Sequence, residues 1–220
     1  SDFPSSQNQP FRKVIHQTMY NLQNRLIAER YKHLLNAISS ERFLKMQGLG
    51  NEVPFFICPF HPQEHDEMQR NIASLSNALN NRGIRVLNID LYELSIELLK
   101  KRGIWERVLE NEAEMSKAEL KELLQSVLDP EHHLIPAINE KMDEGDFDVM
   151  FISGVGEVFP YIRSHTVLNN LQSTAKDKPT VMFFPGEYKQ SLEEGASLDL
   201  FGKIHDDKYY RAFNIYLYQV

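Results

Sequence analysis

The sequence is poor in cysteine, in long hydrophobic runs and in excess positive charge, and each shortage excludes a class of protein. Cys58 is the only cysteine, so the chain forms no internal disulfide, which is typical of cytosolic proteins. No apolar run approaches the ~20 residues that a helix needs to cross a bilayer, and no charged-then-apolar signal segment opens the chain. The net charge of -7 argues against a surface built to bind nucleic acid phosphates. We therefore expect a cytoplasmic protein without membrane or direct nucleic acid contacts.

The length of 220 residues predicts a single domain. Residues 1–10 are polar and contain prolines, and we expect them to form a flexible lead to one α/β domain over residues 11–220. Within that domain, residues 11–50 carry apolar side chains at three- and four-residue steps, which predicts N-terminal helices that pack on a sheet. The alternative is an arm that protrudes to meet a partner.

Five apolar runs predict the strands of the sheet. Because helical stretches separate these runs, the strands should be joined by crossovers and form a predominantly parallel sheet sandwiched by helices. The runs are residues 53–60, 84–89, 147–153, 180–184 and 211–218. The stretch between the second and third runs exceeds one crossover and predicts a helical insertion, whereas residues 195–202 are predicted as a loop. We expect an α/β fold of the Rossmann-like or degenerate P-loop-like type.

The loop after the first predicted strand does not have the composition of a nucleotide site. A P-loop needs glycines and a Lys-Ser or Lys-Thr pair, and the loop PFHPQEHDEMQRN has neither glycine nor lysine. His61 and His65 are four residues apart with Glu64 between them, but Pro62 interrupts the continuous helix that the zinc pattern H-x-x-E-H needs. We therefore predict neither ATP hydrolysis nor a metal at this loop.

A Gly-Val-Gly-Glu segment follows the third predicted strand, at the edge of the sheet where α/β proteins gather ligands. Gly154, Gly156 and Glu157 are weak candidates for binding a cofactor, because a dinucleotide fingerprint needs a third glycine. The alternative is a tight turn with positive φ at one of the glycines. Cys58 lies inside an apolar run, where it is most simply a core residue, and Ser153 does not lie in a nucleophile elbow. We predict no cofactor and no complete catalytic constellation.

Polar and aromatic residues near two predicted strands are candidates for contacting a partner protein. One group follows the third strand, and its alternative role is an internal Arg and Glu pair that locks the loop. The other group begins the fifth strand and has the Tyr and Arg content of interface hot spots, but its rings could equally pack on neighbouring helices. The candidates are Glu157, Arg163, His165, Tyr209, Tyr210 and Arg211.

Three long strings in the last third of the chain resemble the BrxB family of bacteriophage exclusion (BREX) defence systems. They are FISGVGEVFPYIRSHTVLNNLQ, FFPGEY and LFGKIHDDKYYRAFNIY. The resemblance extends upstream through RFLKMQGLGNEVPFFICPF and GIRVLNIDLYELSIELL, and so covers most of the chain beyond Arg42. It implies a small, bacterial, cytoplasmic accessory protein whose sheet has lost its phosphate loop. It also implies partners among the BREX components, namely a DNA methyltransferase (PglX), an alkaline-phosphatase-like protein (PglZ) and a large ATPase (BrxC).

The resemblance carries no enzymatic activity onto these residues, and the motifs above agree with that. We therefore expect a non-enzymatic adaptor that binds other BREX proteins, PglZ first among them. The alternative is a nucleotide-binding or nucleotide-sensing protein that uses the loop after the third strand. Direct DNA binding is a third hypothesis, which the acidic charge disfavours.

Overall fold

Five parallel strands form the centre of the fold. The computed structural model describes residues 22–48, 54–191, 195–205 and 212–220. Its strands are β1 (Phe55–Phe60), β2 (Val86–Asp90), β3 (Val149–Ser153), β4 (Thr180–Ser191), β5 (Gly195–Leu200), β6 (Ile204–His205) and β7 (Ala212–Asn214). The parallel strands lie in the order β2-β3-β4-β1-β7, which differs from the 3-2-1-4-5-6 order of dinucleotide-binding domains. The predicted α/β fold with a mostly parallel sheet is confirmed.

Eight α-helices flank the sheet within the described part of the chain. They are α1 (Ile27–Ile38), α2 (Glu41–Leu44), α3 (His65–Asn81), α4 (Leu91–Lys101), α5 (Trp105–Asn111), α6 (Lys117–Val127), α7 (Ile135–Asp143) and α8 (Ser164–Leu171). Short 3-10 turns lie at Leu22–Asn24, Pro62–Glu64 and Ile215–Leu217, and a π-helical turn at Pro130–Leu134 precedes α7. Helices α5 to α7 lie between β2 and β3, so the predicted helical insertion is confirmed.

The two faces of the sheet bury two separate hydrophobic cores. Side chains alternate along a strand, so Phe56, Phe151 and Phe183 enter the core beneath α1, α2 and α3. Their strand neighbours Phe55 and Met150 enter the core beneath α4 to α8. All five side chains are buried, which explains why the parallel strands have nearly continuous apolar sequences.

The N-terminal helices pack on the sheet over the residues that the structure describes. Helix α1 buries Leu34 and Ile38, and α2 buries Phe43, in the same core as Phe56. The Ser40 hydroxyl accepts a hydrogen bond from the Phe43 backbone N–H at 3.2 Å, as expected of a residue at a helix start. The part of the predicted N-terminal helices before Leu22 lies outside the described residues.

Two sequence predictions about the strands after residue 184 are wrong. Strand β4 continues past its predicted end and pairs in antiparallel fashion with β5, which lies where a loop was predicted. The alternation of the buried Ala196, Leu198 and Leu200 is a strand pattern, but the flanking glycines and the shortness of the run concealed it. The last strand is also shorter than predicted, because the Asn214 side chain accepts from the Tyr216 N–H at 3.0 Å and begins a 3-10 turn.

Candidate functional site at the carboxyl edge of the sheet

Strands β1, β2 and β3 end at the same edge of the sheet, and their following loops gather there. The chain leaves β1 at His61, leaves β2 through Asp90 directly into α4, and leaves β3 through Gly154. In open α/β sheets this carboxyl edge is where ligands and partners bind. We therefore define the candidate site as the side chains of these loops and of the elements that touch them.

The turn after β1 is closed by a glutamate rather than open to a ligand. The Glu64 Oε2 accepts the His61 backbone N–H at 3.1 Å, and the same carboxylate holds the Arg30 guanidinium at 2.5 Å through Oε1. Asp66 and Glu67 follow in the first turn of α3. A phosphate site at a helix start needs free backbone N–H groups and little negative charge. This turn has a bonded N–H and three carboxylates.

Arg30 is a buried cation beneath this turn. Its side chain is 1% exposed, its Nε donates to the Arg25 carbonyl at 3.0 Å, and its Nη1 has no hydrogen-bond partner among the described residues. Burial lowers its pKa and the hydrogen bond to Glu64 raises it, with a net rise above the ordinary value. The guanidinium therefore stays charged, and Glu64 is the carboxylate that compensates it.

Cys58 and Tyr216 form a second buried polar contact near Arg30. The Cys58 Sγ donates to the Tyr216 hydroxyl at 3.4 Å. Burial raises the pKa of Cys58 to about 12 and raises the pKa of Tyr216 well above its usual 10. Because the thiolate is the reactive form of cysteine, Cys58 is a core residue in the folded chain and not a nucleophile.

A histidine and a glutamate bridge the loops after β1 and β3. The His65 Nε2 lies 3.2 Å from Glu157 Oε1, and Gln69 Nε2 donates to the same oxygen at 3.4 Å. The side chains of His65 and Glu157 are 39% and 33% exposed. Glu157 is therefore available to solvent while it ties its loop to helix α3.

Gly154 has a structural reason to be glycine. Its φ is +76°, a region that other L-residues rarely adopt. A β-carbon at this position would lie 2.5 Å from the Asp90 Oδ1. That same oxygen accepts from the backbone N–H groups of Tyr92 at 2.9 Å and Glu93 at 3.2 Å, and so caps α4. The turn after β3 thus packs directly on the start of the neighbouring helix.

Gly156 faces an aromatic residue from the β5–β6 hairpin. A β-carbon on Gly156 would lie 3.2 Å from the rings of Phe201 and Pro185. Phe201 is also in edge-to-face contact with Phe159, with 6.4 Å between ring centroids. Phe201 is 36% exposed and has φ +56°, so a bulky side chain occupies a strained, partly exposed position at this edge.

The structure brings some of the predicted site residues together and leaves others apart. Glu157 joins His65 across the edge, whereas Arg163 is exposed and precedes α8, and His165 lies in the first turn of that helix. The His165 Nε2 is 3.2 Å from the Thr166 hydroxyl. The other predicted group, Tyr209, Tyr210 and Arg211, lies outside the described residues.

Sequence reasoning missed Arg30 and Phe201 as residues of this edge. The buried stripe of α1 comprises Ile27, Arg30, Leu34, Ala37 and Ile38, so a signal for Arg30 was available as a charge at an apolar position of a helical stripe. For Phe201 the available signal was the glycine that follows it, since a glycine at the end of an apolar run marks a turn. Neither signal identifies the partner side chain.

The described part of the chain contains neither a metal-binding cluster nor a membrane-spanning helix. Across the described residues there is no group of three or more His, Cys, Asp or Glu side chains placed to hold a metal ion. None of the helices in that part of the chain has the length and apolarity that crossing a bilayer requires. At the edge itself, Glu157 and Arg163 are exposed, and the partly exposed Phe201 ring contacts Phe159 of the loop after β3.

Comparison with known proteins identifies the family. The family model described as BREX protein BrxB matches residues 87–215. A BREX protein BrxB of Bacillus cereus (strain H3081.97) is 34% identical over 195 residues, which span 87% of this chain and 98% of that protein. A BREX protein BrxB of Escherichia coli O9:H4 (strain HS) is 27% identical over 186 residues, which span 84% and 90% of the two chains. No solved structure matches the chain significantly. The chain belongs to the BrxB family.

Proposed function

We propose that this chain is a non-enzymatic adaptor of a BREX antiviral defence system. It binds other BREX components and so supports site-specific host methylation and phage exclusion. Membership of the BrxB family is the observation that carries this proposal. PglZ is the first candidate partner, with PglX and BrxC as the others. The cytoplasm is its place of action, which the single buried Cys58 supports.

The closed turn after β1 supports an adaptor over a nucleotide-hydrolysing protein. In a phosphate-binding loop the backbone N–H groups point at the ligand. Here the His61 N–H is bonded to Glu64, and Glu64 is held by the buried Arg30. A phosphate at this N–H would have to displace Glu64, the carboxylate that also compensates the buried Arg30 charge.

The loop after β3 is the proposed contact surface. Glu157 and Arg163 are exposed residues of opposite charge in this loop, and the partly exposed Phe201 ring contacts Phe159 of the same loop. Arginine and aromatic residues are common among the side chains that dominate binding energy in interfaces. Charged side chains at the rim of an interface mainly set specificity and association rate.

Co-purification from cells that express the whole BREX system tests the proposal. We expect PglZ or another BREX protein to remain with the tagged chain, and Arg163→Glu to weaken that association while the protein stays folded. Lys176→Glu is the matched control, because Lys176 is exposed and precedes β4, at the opposite edge of the sheet. If no BREX protein associates at micromolar concentrations, the adaptor proposal is wrong.

The nucleotide-sensing alternative has a separate test. A ligand present at 100 times its dissociation constant should stabilise the folded state by ~2.7 kcal/mol. A thermal-shift screen with ATP, GTP, NAD and S-adenosylmethionine therefore distinguishes the two functions. A saturable shift that Glu157→Gln abolishes would favour the alternative over the adaptor.

A further inference from the structure

The helical insertion carries an open cleft between α5 and α6. Its volume is about 630 Å³, within the range of ligand-binding clefts. The apolar residues of its lining, which we call the floor, are Ile104, Met115 and Leu123, all partly exposed. The polar residues of the lining are Arg107, Asn111, Glu114 and Glu119. An apolar floor with charged walls suits a side chain that is itself both apolar and charged.

The helices around this cleft carry an excess of negative charge. Residues 105–127 contain six glutamates against three basic residues. Glu114 is exposed, and its carboxylate forms no ion pair with any residue that the structure describes. Glu119 accepts the Ser116 backbone N–H at 2.8 Å through one oxygen, and this hydrogen bond lowers the pKa of Glu119. The Glu119 carboxylate is therefore ionised at neutral pH. The lining contains two glutamates, Glu114 and Glu119, against one cation, Arg107.

Lysine and arginine side chains match both properties of the cleft. They bury their aliphatic stems on apolar surface and keep the charged head in water. Met115 and Leu123 offer apolar surface to such a stem, and Glu114 and Glu119 of the same lining offer carboxylates to its charged head. Complementary charge also speeds association with a basic partner and disfavours binding of an acidic one.

We propose that the α5–α6 cleft docks a basic segment of a partner protein, with a lysine or arginine side chain over Met115 and Leu123. The partner's identity as a BREX component rests on the function proposed above, whereas the cleft and its chemistry do not. Helix α6, which lines one side of the cleft, also contacts the loop after β3. Gln125 of α6 donates to the Pro160 carbonyl at 3.1 Å.

Site-specific photo-crosslinking in cells that express the whole system tests this inference. A photoreactive phenylalanine analogue replaces Asn111, at the wall of the cleft, and in a control chain replaces Lys176 near the opposite edge of the sheet. We expect the position 111 chain to crosslink to a lysine- or arginine-rich segment of another BREX protein, identified by mass spectrometry. The control chain should not yield that product.

Charge reversal in the cleft provides the second measurement. Glu114→Lys should weaken binding of the crosslinked protein about tenfold, and raising the salt concentration should weaken wild-type binding in the same direction. Met115→Asp should also weaken binding of that protein, because it places a charge on the apolar floor of the cleft. Glu144→Lys is the matched control, since Glu144 is exposed and follows α7, and it should leave binding unchanged.

The outcomes separate this inference from the adaptor function. If a BREX protein co-purifies but Glu114→Lys binds it as wild type does, the cleft is not the docking site and the adaptor function stands. If position 111 yields no crosslink, or a crosslink only to a segment without basic residues, the cleft proposal is wrong. A thermal midpoint within about 2 °C of wild type for each variant excludes unfolding as the cause of lost binding.

Discussion

At Gly154 the backbone has φ +76°, and the Asp90 carboxylate occupies the space that a β-carbon would need. Glycine is thus needed at this position for two reasons, the positive φ and the close approach of the Asp90 carboxylate. The need for glycine at position 156 is weaker. Its φ is not positive, and a β-carbon there would meet only outer atoms of the Phe201 and Pro185 rings. The physical reasons for glycine therefore differ between these two positions of one short segment.

The first prediction compares these glycines. Gly154→Ala should lower the free energy of unfolding by about 2 kcal/mol or more, because the new side chain strains the backbone and displaces the cap of α4. Gly156→Ala should cost less than about 1 kcal/mol, since the Phe201 ring can move by a few tenths of an ångström. Urea denaturation of both variants measures the difference. Equal losses would contradict the structural role assigned to Gly154.

The second prediction concerns the strained Phe201. Asparagine tolerates positive φ better than alanine does. Since Phe201→Asn and Phe201→Ala both remove the ring, their difference isolates the backbone. We expect the asparagine variant to be more stable than the alanine variant by about 1 kcal/mol, measured by thermal and urea unfolding. An alanine variant as stable as the asparagine variant would argue against strain at this turn.

Among the elements, the start of β2 is joined to the start of β3 by an ion pair. Arg85 donates to Asp148 through its backbone N–H at 2.8 Å, through Nε at 3.1 Å and through Nη2 at 3.1 Å. The hydrogen bond from Arg85 lowers the pKa of Asp148 below its ordinary 3.8. Because β2 lies at the end of the strand order and pairs only with β3, this contact helps to hold the outer strand in register.

The third prediction is a pH dependence that follows from this pair. Because the folded chain lowers the pKa of Asp148, the pair stabilises the fold above pH 3.8 and loses this contribution as the pH falls below it. Asp148→Asn should therefore destabilise the protein at pH 7, by less than about 1 kcal/mol for a partly exposed pair. The difference from wild type should shrink at pH 3. Asp146→Asn is the control, because Asp146 is 90% exposed and lies 3.4 Å from Arg85.

For the molecule as a whole, the two cores share one sheet, so neither can be lost without exposing the central strands. The accessibility of the Cys58 thiol measures whether a central strand has become exposed. Cys58 lies in β1, between β4 and β7, is fully buried, and has its pKa raised to about 12 by burial. It is also the only thiol in the chain.

The fourth prediction uses that thiol as a probe of global unfolding. At pH 8 the folded chain should react with a thiol reagent only through unfolding, because the thiol is neutral and shielded. The labelling rate should rise with urea in parallel with the loss of the far-ultraviolet circular dichroism signal. The urea-unfolded chain serves as the reference for full reactivity. Rapid labelling of the native chain without urea would mean that β1 opens locally.

Much of the fold could be predicted because its signals are local. Continuous apolar runs mark strands that are buried on both faces, and the Ser116–Glu119 pair marks the start of α6, where the structure has the reciprocal hydrogen bonds. The β5 strand was missed because its six residues begin with Gly195 and are followed closely by Gly202, and a short run between glycines is ordinarily interpreted as a loop. The helical insertion was predictable from length alone, but its cleft was not.

The sequence by itself determined the family, the parallel sheet and the absence of a phosphate-binding composition after β1, because each depends on residues that are neighbours along the chain. Only the tertiary structure decided which side chains meet at the carboxyl edge. Arg30 and Glu64 are 34 residues apart, and Gly156, in the loop after β3, meets Phe201 of the β5–β6 hairpin. Local periodicity fixes which face a side chain occupies. The partner across that face follows from how strands and helices pack.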